Sequence, residues 1–249
     1  MTAPALATPT VRSHLRRAMG WFLGTPLHPQ WLVVRHMRER IPWVARHAAG
    51  TVLDVGCAHS TIRSHLRCDR YYGLDYPATA THLYGTRPDI FGDASRLPVA
   101  DAAVDTVLLI DVVEHLREPG AALREAARVL KPGGRLLMTV PFAYPLHDQP
   151  HDFQRWTTHG VAHQLEQAGL RPVAIEETGN AVAVAAGNLS MALAQGGLDA
   201  IAARSWRVVG VALLPLLILA ANLYGVIVAW LFPARAFMPS GYNVEATRS

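Results

Sequence analysis

The segment TVLDVGCAHS, residues 51–60, decides the fold of this chain. Its first five residues form an apolar run with β-branched side chains and one acid, which is typical of a buried strand. Gly56 then predicts a tight turn at which the backbone can approach a ligand closely, and Ser60 or Thr61 predicts the start of a helix over Thr61–Arg67. A strand, a turn and a helix in this order favour a parallel α/β sheet.

A second acid strengthens this interpretation. The segment YYGLD ends at Asp75, about 20 residues after the first strand, where the end of a neighbouring strand meets a nucleotide ribose. A carboxylate at that position can accept hydrogen bonds from both ribose hydroxyls. The two segments together predict a site for an adenosine-type cofactor.

Four segments carry a resemblance to a known family. LDVGCAHS, YYGLD, GDASRLPVADAAVDTVLLIDVVEHL and VLKPGGRLLMTVP follow one another within residues 51–178. This order is similar to that of the class I S-adenosylmethionine-dependent methyltransferases, in particular the type 11 or UbiE-like group. The resemblance implies an α/β fold with a doubly wound, mostly parallel seven-stranded sheet. Ala58 and Ser60 depart from the family, which usually has glycine at both positions.

The resemblance also implies that the chain binds S-adenosyl-L-methionine. Asp54 would contact the amino-acid end of this cofactor, and Asp75 would accept hydrogen bonds from its ribose. Asp93 would contact its adenine, and Asp111 its methionine part. Backbone groups would contribute at Gly56, Cys57, Ala58 and Ala94. Cys57 is interpreted as a small buried residue and not as a catalytic thiol.

The loop PLHDQPHDFQRWT, residues 145–157, holds the candidate catalytic residues His147, Asp148, His151 and Asp152. A histidine beside a carboxylate suits the removal of a proton from a hydroxyl acceptor near neutral pH. The same side chains could hold a hard divalent ion, but HDxxHD is no established ligand spacing, so no metal is assigned. Alternatively, the loop is a polar lid that caps the helix after Thr157. Glu114 and His115 are interpreted as pocket edge or structure.

Composition limits the classes of partner. The chain has 249 residues, of which 51% are hydrophobic and 17% charged, and its formal net charge is +4. This weak and scattered positive charge argues against nucleic acid and favours an anionic membrane surface. The two cysteines fit no disulfide or metal pattern, and the first residues fit no signal peptide, so the chain is interpreted as cytoplasmic.

Four regions are expected along the chain. Residues 1–50 form an N-terminal tail and helices, 51–180 the methyltransferase core, 181–239 a hydrophobic helical insert, and 240–249 the last strand of the core. Within the first region, residues 11–23 form either a basic amphipathic helix on a membrane or a short helix packed on the domain.

The insert favours a membrane. Residues 208–232 contain no charged residue, and as a helix, interrupted by Pro215, Asn222 and Gly225, they would be about 37 Å long. Because the last strand has to rejoin the sheet, the insert is predicted to be a helical hairpin that dips into the membrane from the cytoplasmic side. The alternatives are a soluble cap over the active site, a homodimer interface and a true span that severs the last strand.

The function predicted from these observations is O-methylation of a small, glycan-linked or lipid-linked acceptor at the membrane. Two alternatives differ from it in class. One is a non-catalytic membrane scaffold that has kept the fold. The other is a nicotinamide-dependent oxidoreductase, although the loop after Gly56 lacks the second and third glycines of GxGxxG.

Overall fold

A computed structural model describes residues 22–233 and 237–248. Most of the helix predicted over residues 11–23 therefore lies outside the described residues. The α-helices are α1 (Trp31–His47), α2 (Pro119–Val129), α3 (Thr158–Gln167), α4 (Ala181–Ala202) and α5 (Leu214–Leu231). The strands are β1 (Thr51–Val55), β2 (Arg70–Asp75), β3 (Ile90–Phe91), β4 (Val104–Ile110), β5 (Leu130–Pro141), β6 (Leu170–Thr178) and β7 (Gly241–Arg248).

The strands form one seven-stranded sheet in the order β3-β2-β1-β4-β5-β7-β6. The pairings from β3 to β5 are parallel, whereas β7 runs antiparallel to both β5 and β6. The sheet predicted from the sequence is thus confirmed. Because β1 and β4 are central, the loops after the parallel strands open along one edge, where ligands bind in such sheets.

Alternating side chains on the central strands fill two separate cores. Leu53, Val107 and Leu136 belong to a large cluster with side chains of α2 and α3. Val52, Leu108 and Leu137, on the opposite faces of the same strands, pack with Trp43 and Val44 of α1. Burial on both faces explains why these strands are unbroken apolar runs.

The α-helix predicted after β1 is wrong. Residues 61–67 contain only a short 3₁₀ turn at Arg63–His65, which has no side-chain cap. The side chains of Ser64 and His65 both contact the carbonyl oxygen of Thr61, at 3.5 and 3.2 Å. These local contacts compete with the backbone bonds that a helix needs. By contrast, the predicted cap on the later helix is present, since the Thr157 hydroxyl accepts a hydrogen bond from the Gly160 N–H.

The described residues divide into two compact units. One comprises 36–181 and 237–248 and contains the sheet, and the other comprises 22–35 and 182–233. The domain boundaries set out from the sequence remain predictions.

In the second unit, α4 and α5 form an antiparallel hairpin. A Cβ on Gly197, late in α4, would lie 2.3 Å from Leu214 at the start of α5. A Cβ on Gly225, late in α5, would lie 2.6 Å from Ala186 near the start of α4, so the two helices run antiparallel. Between these contacts the Ser190 hydroxyl donates to Asn222 Oδ1, and Asn222 Nδ2 donates to the carbonyl oxygens of Pro26 and His28.

These contacts correct a sequence-based expectation. Pro215, Asn222 and Gly225 do not interrupt α5, which is continuous from Leu214 to Leu231. Pro215 lies in the first turn, where its missing N–H costs nothing, and the other two residues pack against α4. The segment before α5, Trp206–Leu213, is a 3₁₀ helix.

Two helical segments among the described residues, Ala181–Ala202 and Trp206–Leu231, are long and apolar enough to cross a membrane by length and composition. Their outer surface is apolar as well. Trp206 and Trp230 are 82% and 81% exposed, and Val209, Leu216 and Ile227 are exposed beside them.

Candidate functional site

The strand order brings the predicted site residues to one edge of the sheet. Asp93, Asp75, Asp54 and Asp111 lie at or just beyond the ends of β3, β2, β1 and β4, which are consecutive neighbours. The loop after β5, residues 142–157, continues the same edge. An acid follows each of four adjacent strands, and the histidine-rich loop follows the fifth.

The loop after β1 has an unusual backbone. Gly56, Ala58 and Ser60 have positive φ angles of 77°, 44° and 49°. A Cβ on Gly56 would lie 2.6 Å from Val112 Cγ2, so only glycine fits there. Ala58 and Ser60 adopt the left-handed conformation with a Cβ, which costs energy. Ala58 and Ser60 therefore occupy backbone positions that favour glycine, the residue that the family usually has there.

We expect Ala58→Gly to stabilise the protein by about 1 kcal/mol, because glycine adopts the left-handed backbone without strain. Ser60→Gly relieves the same strain but also removes a hydroxyl that bonds Cys57 and Tyr71, so its gain should be smaller. The melting temperature should rise by about 2–4 °C for Ala58→Gly and by less for Ser60→Gly. Ala102→Gly is the matched control, since Ala102 has a φ of 50° in the turn before β4. It should give a similar rise without changing cofactor affinity, and a fall in melting temperature for both loop variants would contradict the prediction.

Asp54 is buried beneath this loop. It is 4% exposed, and its Oδ2 accepts a hydrogen bond of 2.5 Å from the Tyr71 hydroxyl on β2. Burial raises the pKa of Asp54 to about 6, although the bond from Tyr71 opposes the rise. The predicted contact between Asp54 and the amino-acid end of the cofactor stays a prediction.

The raised pKa of Asp54 gives stability a definite pH dependence. A carboxylate with a pKa of about 6 when folded and near 4 when unfolded contributes stability below pH 4 that is lost as pH rises through 6. Asp54→Asn removes this loss, so its stability relative to wild type should rise by up to about 3 kcal/mol between pH 4 and pH 7.

Urea unfolding of the cofactor-free protein across this pH range measures the effect. Tyr71→Phe is the paired variant, because it removes the hydroxyl that favours the ionised Asp54. Its stability should fall more steeply with pH than that of wild type. Parallel pH profiles for wild type and Asp54→Asn would contradict the assignment.

Asp75 connects β2 to the first loop. Its Oδ2 accepts from the Ala58 N–H at 2.9 Å, and its Oδ1 accepts from the Tyr76 N–H at 2.7 Å. Each carboxylate oxygen retains a second lone pair that can accept from a ribose hydroxyl. Cys57 is buried beside it, and burial raises the pKa of its thiol to about 11, which fits the predicted structural role and not a nucleophile.

The two outer acids are placed differently. Asp93 is exposed and its Oδ1 accepts from the Ser95 N–H and hydroxyl, so it shapes the turn that contains Ala94. Asp111 has a φ of 54°, and its carboxylate accepts from the Thr139 hydroxyl at 2.9 Å. Its other oxygen pairs with Arg40 of α1.

The loop after β5 is tied to the turn after β4 by hydrogen bonds. Gln154 Nε2 donates to the carbonyl oxygens of Val113 and Leu116 at 2.6 and 2.9 Å. The Phe153 N–H donates to the carbonyl oxygen of Glu114 at 2.9 Å. The two segments therefore form one structured wall of the site, and Glu114 belongs to it.

Within this wall the structure pairs His147 with Asp152. The two groups lie 3.3 Å apart between Nδ1 and Oδ2, and the His147 N–H donates to the same oxygen. Arg155 donates to both oxygens of Asp152 and holds its pKa at about 2. The Asp152 side chain is 1% exposed. An ionised carboxylate thus orients the imidazole of His147.

The other two catalytic candidates are placed apart from this pair. The Asp148 carboxylate is 3.9 Å from His115 Nε2. The His151 ring is exposed and packs against Phe153, while its carbonyl oxygen accepts from His115 Nδ1 at 2.8 Å. The catalytic roles of all four candidates remain predictions, of which the geometry favours that of His147.

Three residues of the site were not predicted from the sequence as functional. Glu114 is completely buried, with burial raising its pKa to about 7, and its carboxylate lies between His115 and His147. Arg40 could not be assigned because its partner Asp111 is 71 residues away. Arg155 had a visible signal, since it stands three residues after Asp152 as in many local ion pairs.

The comparison with known families decides the identity of the core. Residues 53–138 match the family described as "Methyltransferase domain". Over these residues the chain is similar to the class I methyltransferase domains of the type 11 group. The match spans β1 to β5, and therefore the four strand ends that carry Asp54, Asp75, Asp93 and Asp111. S-adenosylmethionine is the cofactor of this domain.

Relatives of this domain carry the same assignment. A protein of Mycolicibacterium smegmatis named "Probable S-adenosylmethionine-dependent methyltransferase" is 37% identical over 103 residues, or 39% of this chain and 40% of the relative. The UbiE C-methyltransferase of Caulobacter vibrioides is 48% identical over 65 residues, 25% of each chain. The chain spans about two fifths of the length of the first of these relatives and less of the second.

A solved structure supports the fold of the methyltransferase domain. The crystal structure of the 4+2 cyclase SpnF aligns with a TM-score of 0.51 and 19% identity, covering 85% of this chain and 79% of that one. At this identity the likeness concerns the fold alone. Within the domain, the close backbone at Gly56 and the free acceptor capacity of Asp75 fit an adenosine-type cofactor.

Proposed function

We propose that this chain is an S-adenosylmethionine-dependent methyltransferase that methylates a hydroxyl oxygen of a glycan-linked or lipid-linked acceptor at a membrane surface. The cofactor, when bound, supplies an activated methyl group. The protein has to align the acceptor and receive its proton. The observation that carries the proposal is the His147–Asp152–Arg155 chain beside the cofactor loops.

This chain of side chains gives His147 the properties of a general base. Two acceptors, Asp152 Oδ2 and the Pro145 carbonyl oxygen, lie 3.3 Å from His147 Nδ1, and the donor Arg155 Nη2 lies 3.4 Å from it. The two acceptors favour the tautomer in which Nδ1 carries the proton and Nε2 keeps its lone pair. Burial lowers the pKa of His147, which keeps the imidazole neutral at physiological pH. A neutral, oriented imidazole suits a hydroxyl acceptor, which has to lose its proton as it attacks, better than a neutral amine, whose nitrogen is nucleophilic without deprotonation.

The α4–α5 hairpin supports the membrane part of the proposal. Its inner contacts are satisfied by Asn222, Ser190 and the glycines, whereas its outer surface exposes Trp206, Leu216 and Trp230 to solvent. Large contiguous apolar surfaces on soluble proteins are rare and mark an interaction site. Tryptophans at both ends of an apolar segment are typical of the two boundaries of a bilayer.

The alternatives set out from the sequence are less well supported. The family match favours S-adenosylmethionine over a nicotinamide cofactor. A non-catalytic scaffold does not require the Arg155–Asp152–His147 chain, in which a buried carboxylate orients an imidazole. The fold of a methyltransferase does not by itself establish the reaction. An assay of methyl transfer is therefore needed to decide between an enzyme and a scaffold.

Transfer of a labelled methyl group tests the activity. Purified full-length protein in detergent is incubated with methyl-labelled S-adenosylmethionine and a total membrane lipid extract, and the organic and aqueous phases are counted. Label is expected in the organic phase and in an alkali-stable form, as for an ether. Binding of the cofactor without transfer to lipid, glycan or soluble extracts would favour the scaffold.

Fractionation tests the membrane part separately. We expect the full-length protein in the membrane fraction, resistant to carbonate washing. Replacing Trp206, Val209, Leu216 and Trp230 by glutamine should move most of it to the soluble fraction, because each change removes an exposed apolar side chain and leaves the Asn222 contacts intact. Wild-type protein that is soluble and monomeric without detergent would overturn membrane association, and a soluble dimer would favour an interface between copies.

A further inference from the structure

The Glu114 carboxylate is an exception among the buried polar groups described here. Its side chain is 0% exposed, and apart from a contact with its own backbone N–H neither carboxylate oxygen has a hydrogen-bond partner among the described residues. Leaving a buried carboxylate unsatisfied is costly, and native proteins normally pair such a group or use it to bind a metal. Glu114 therefore points to a ligand that is a donor or a cation.

Two imidazoles face this carboxylate with the same orientation. His115 Nε2 and His147 Nε2 lie 3.9 and 4.0 Å from Glu114 Oε1, too far for hydrogen bonds. The three groups place one ligand atom each within 4.8 Å of one another. The two Nε2 atoms and Glu114 Oε1 thus surround one common point.

The opposite ring nitrogens are held by oxygen acceptors. His115 Nδ1 lies 2.8 Å from the His151 carbonyl oxygen, which can only accept, so Nδ1 is protonated and Nε2 has a free lone pair. His147 Nδ1 lies 3.3 Å from both Asp152 Oδ2 and the Pro145 carbonyl oxygen, with Arg155 Nη2 at 3.4 Å, and the two acceptors favour the same tautomer. Metal-binding histidines almost always carry such an acceptor on the other nitrogen, which sets the tautomer and the orientation of the ring.

We infer that Glu114, His115 and His147 form a binding site for a divalent first-row transition ion, in the range from Mn²⁺ to Zn²⁺. Two imidazoles and one carboxylate are a donor set that these ions prefer over Ca²⁺. Bonds of about 2.1 Å place neighbouring ligand atoms about 3.4 Å apart in a tetrahedral site. The separations of 3.9 and 4.0 Å from Glu114 Oε1 need to close by about half an ångström, and the widest separation among the three ligand atoms, at most 4.8 Å, by up to about 1.4 Å.

Neighbouring charges favour a cation at this point. The two arginines near Glu114 are already paired, Arg40 with Asp111 and Arg155 with Asp152. Asp148 adds a second negative charge, with Oδ2 3.9 Å from His115 Nε2 and the side chain half-exposed. Asp148 is thus placed to bind the ion directly or through water, on the side that is open to solvent.

The chemical role of the ion rests on the proposed function. An acceptor hydroxyl bound to the ion would release its proton more readily, and Asp148 would receive it. With the ion bound, His147 would bind the ion through Nε2 and Asp148 would take the place of His147 as proton acceptor; without the ion, His147 keeps the role of general base proposed above. A tetrahedral ion keeps one open position beside the three protein ligands, and the acceptor hydroxyl would occupy it.

Spectroscopic titration with Co²⁺ tests the site without any methyl acceptor. Full-length protein in detergent, freed of its affinity tag and stripped with EDTA, is titrated with Co²⁺ and then with Zn²⁺ as competitor. We expect visible absorption bands that saturate at one ion per chain and disappear when Zn²⁺ displaces Co²⁺. Glu114→Gln and His147→Gln should weaken binding at least 100-fold, and Asp152→Asn about 10- to 100-fold.

The control is His163→Gln, which removes an exposed histidine from α3 and should bind Co²⁺ as wild type does. Titration with S-adenosylhomocysteine shows that each variant is folded, and if Glu114→Gln does not fold, His115→Gln replaces it. Less than 0.2 ions bound per wild-type chain, or unchanged affinity in the folded ligand variants, would overturn the site. If the protein binds the cofactor but not Co²⁺, the ion site is overturned and the proposed function stands. If it binds Co²⁺ but not the cofactor, the ion site stands and the proposed function is overturned.

Discussion

Asp75→Asn is expected to lower the affinity for S-adenosylmethionine and S-adenosylhomocysteine at least 100-fold. Hydrogen bonds to a charged acceptor contribute about 1.5–3 kcal/mol each, and the carboxylate can accept from both ribose hydroxyls. The Ala58 and Tyr76 N–H groups donate to different oxygens of Asp75, so an asparagine with its single acceptor oxygen would also leave one of these N–H groups without its acceptor. Calorimetric titration of the full-length protein measures the loss directly.

Two comparisons separate this effect from damage to the loop. Asp93→Asn, at the exposed turn after β3, removes one predicted contact to adenine and should cost about tenfold. Thermal unfolding without cofactor reports whether Asp75→Asn has loosened the loop. An affinity within threefold of wild type would remove Asp75 from the cofactor site, and binding of NAD by the wild type would return the oxidoreductase to consideration.

His147→Gln should have the second large effect, lowering the rate of methyl transfer about 10²- to 10⁴-fold while the affinity for S-adenosylhomocysteine stays within threefold. The loss follows whether His147 removes a proton or binds an ion, since both roles use Nε2. Asp152→Asn should reduce the rate less, because it keeps the imidazole and removes only the carboxylate that orients the ring.

Chelation distinguishes the two roles of His147. If the imidazole is the base, wild-type activity persists in EDTA, whereas an ion-dependent site loses activity and recovers it with Mn²⁺ or Zn²⁺. His151→Gln tests the ranking of the two histidines and should reduce the rate less than His147→Gln, and His163→Gln controls for the loss of a histidine. Wild-type turnover in His147→Gln would exclude both roles.

The sequence predicts the sheet well because its information is local. Each parallel strand is a short apolar run followed by a turn residue, and the acids Asp54, Asp75 and Asp111 mark strand ends directly. The last strand was also predictable, since residues 242–247 alternate in polarity. Its observed position between β5 and β6 agrees with the fold implied by the resemblance.

The parts that escaped prediction depend on contacts between distant residues. The Arg40–Asp111 pair joins residues separated by 71 positions, and His147 approaches Glu114 only because β4 and β5 are neighbours. Glu114 and His115 were visible in the sequence, but nothing local shows that the carboxylate has no hydrogen-bond partner among the described residues beyond its own N–H. The missing helix after β1 is a different case, in which side-chain contacts to Thr61 outweighed a helical pattern.

The position of β7 imposes an order on biosynthesis. β6 joins the sheet only through β7, and the Thr178 hydroxyl at the end of β6 donates to the carbonyl oxygen of Gly241, 63 residues later. The ribosome completes the hairpin before it makes β7, so α4 and α5 can enter a lipid bilayer while the sheet still lacks its closing strand. If the hairpin enters a membrane as proposed, the nascent chain is tethered before its sheet is complete, and an early stop within the last strand would leave a tethered chain with an open sheet edge.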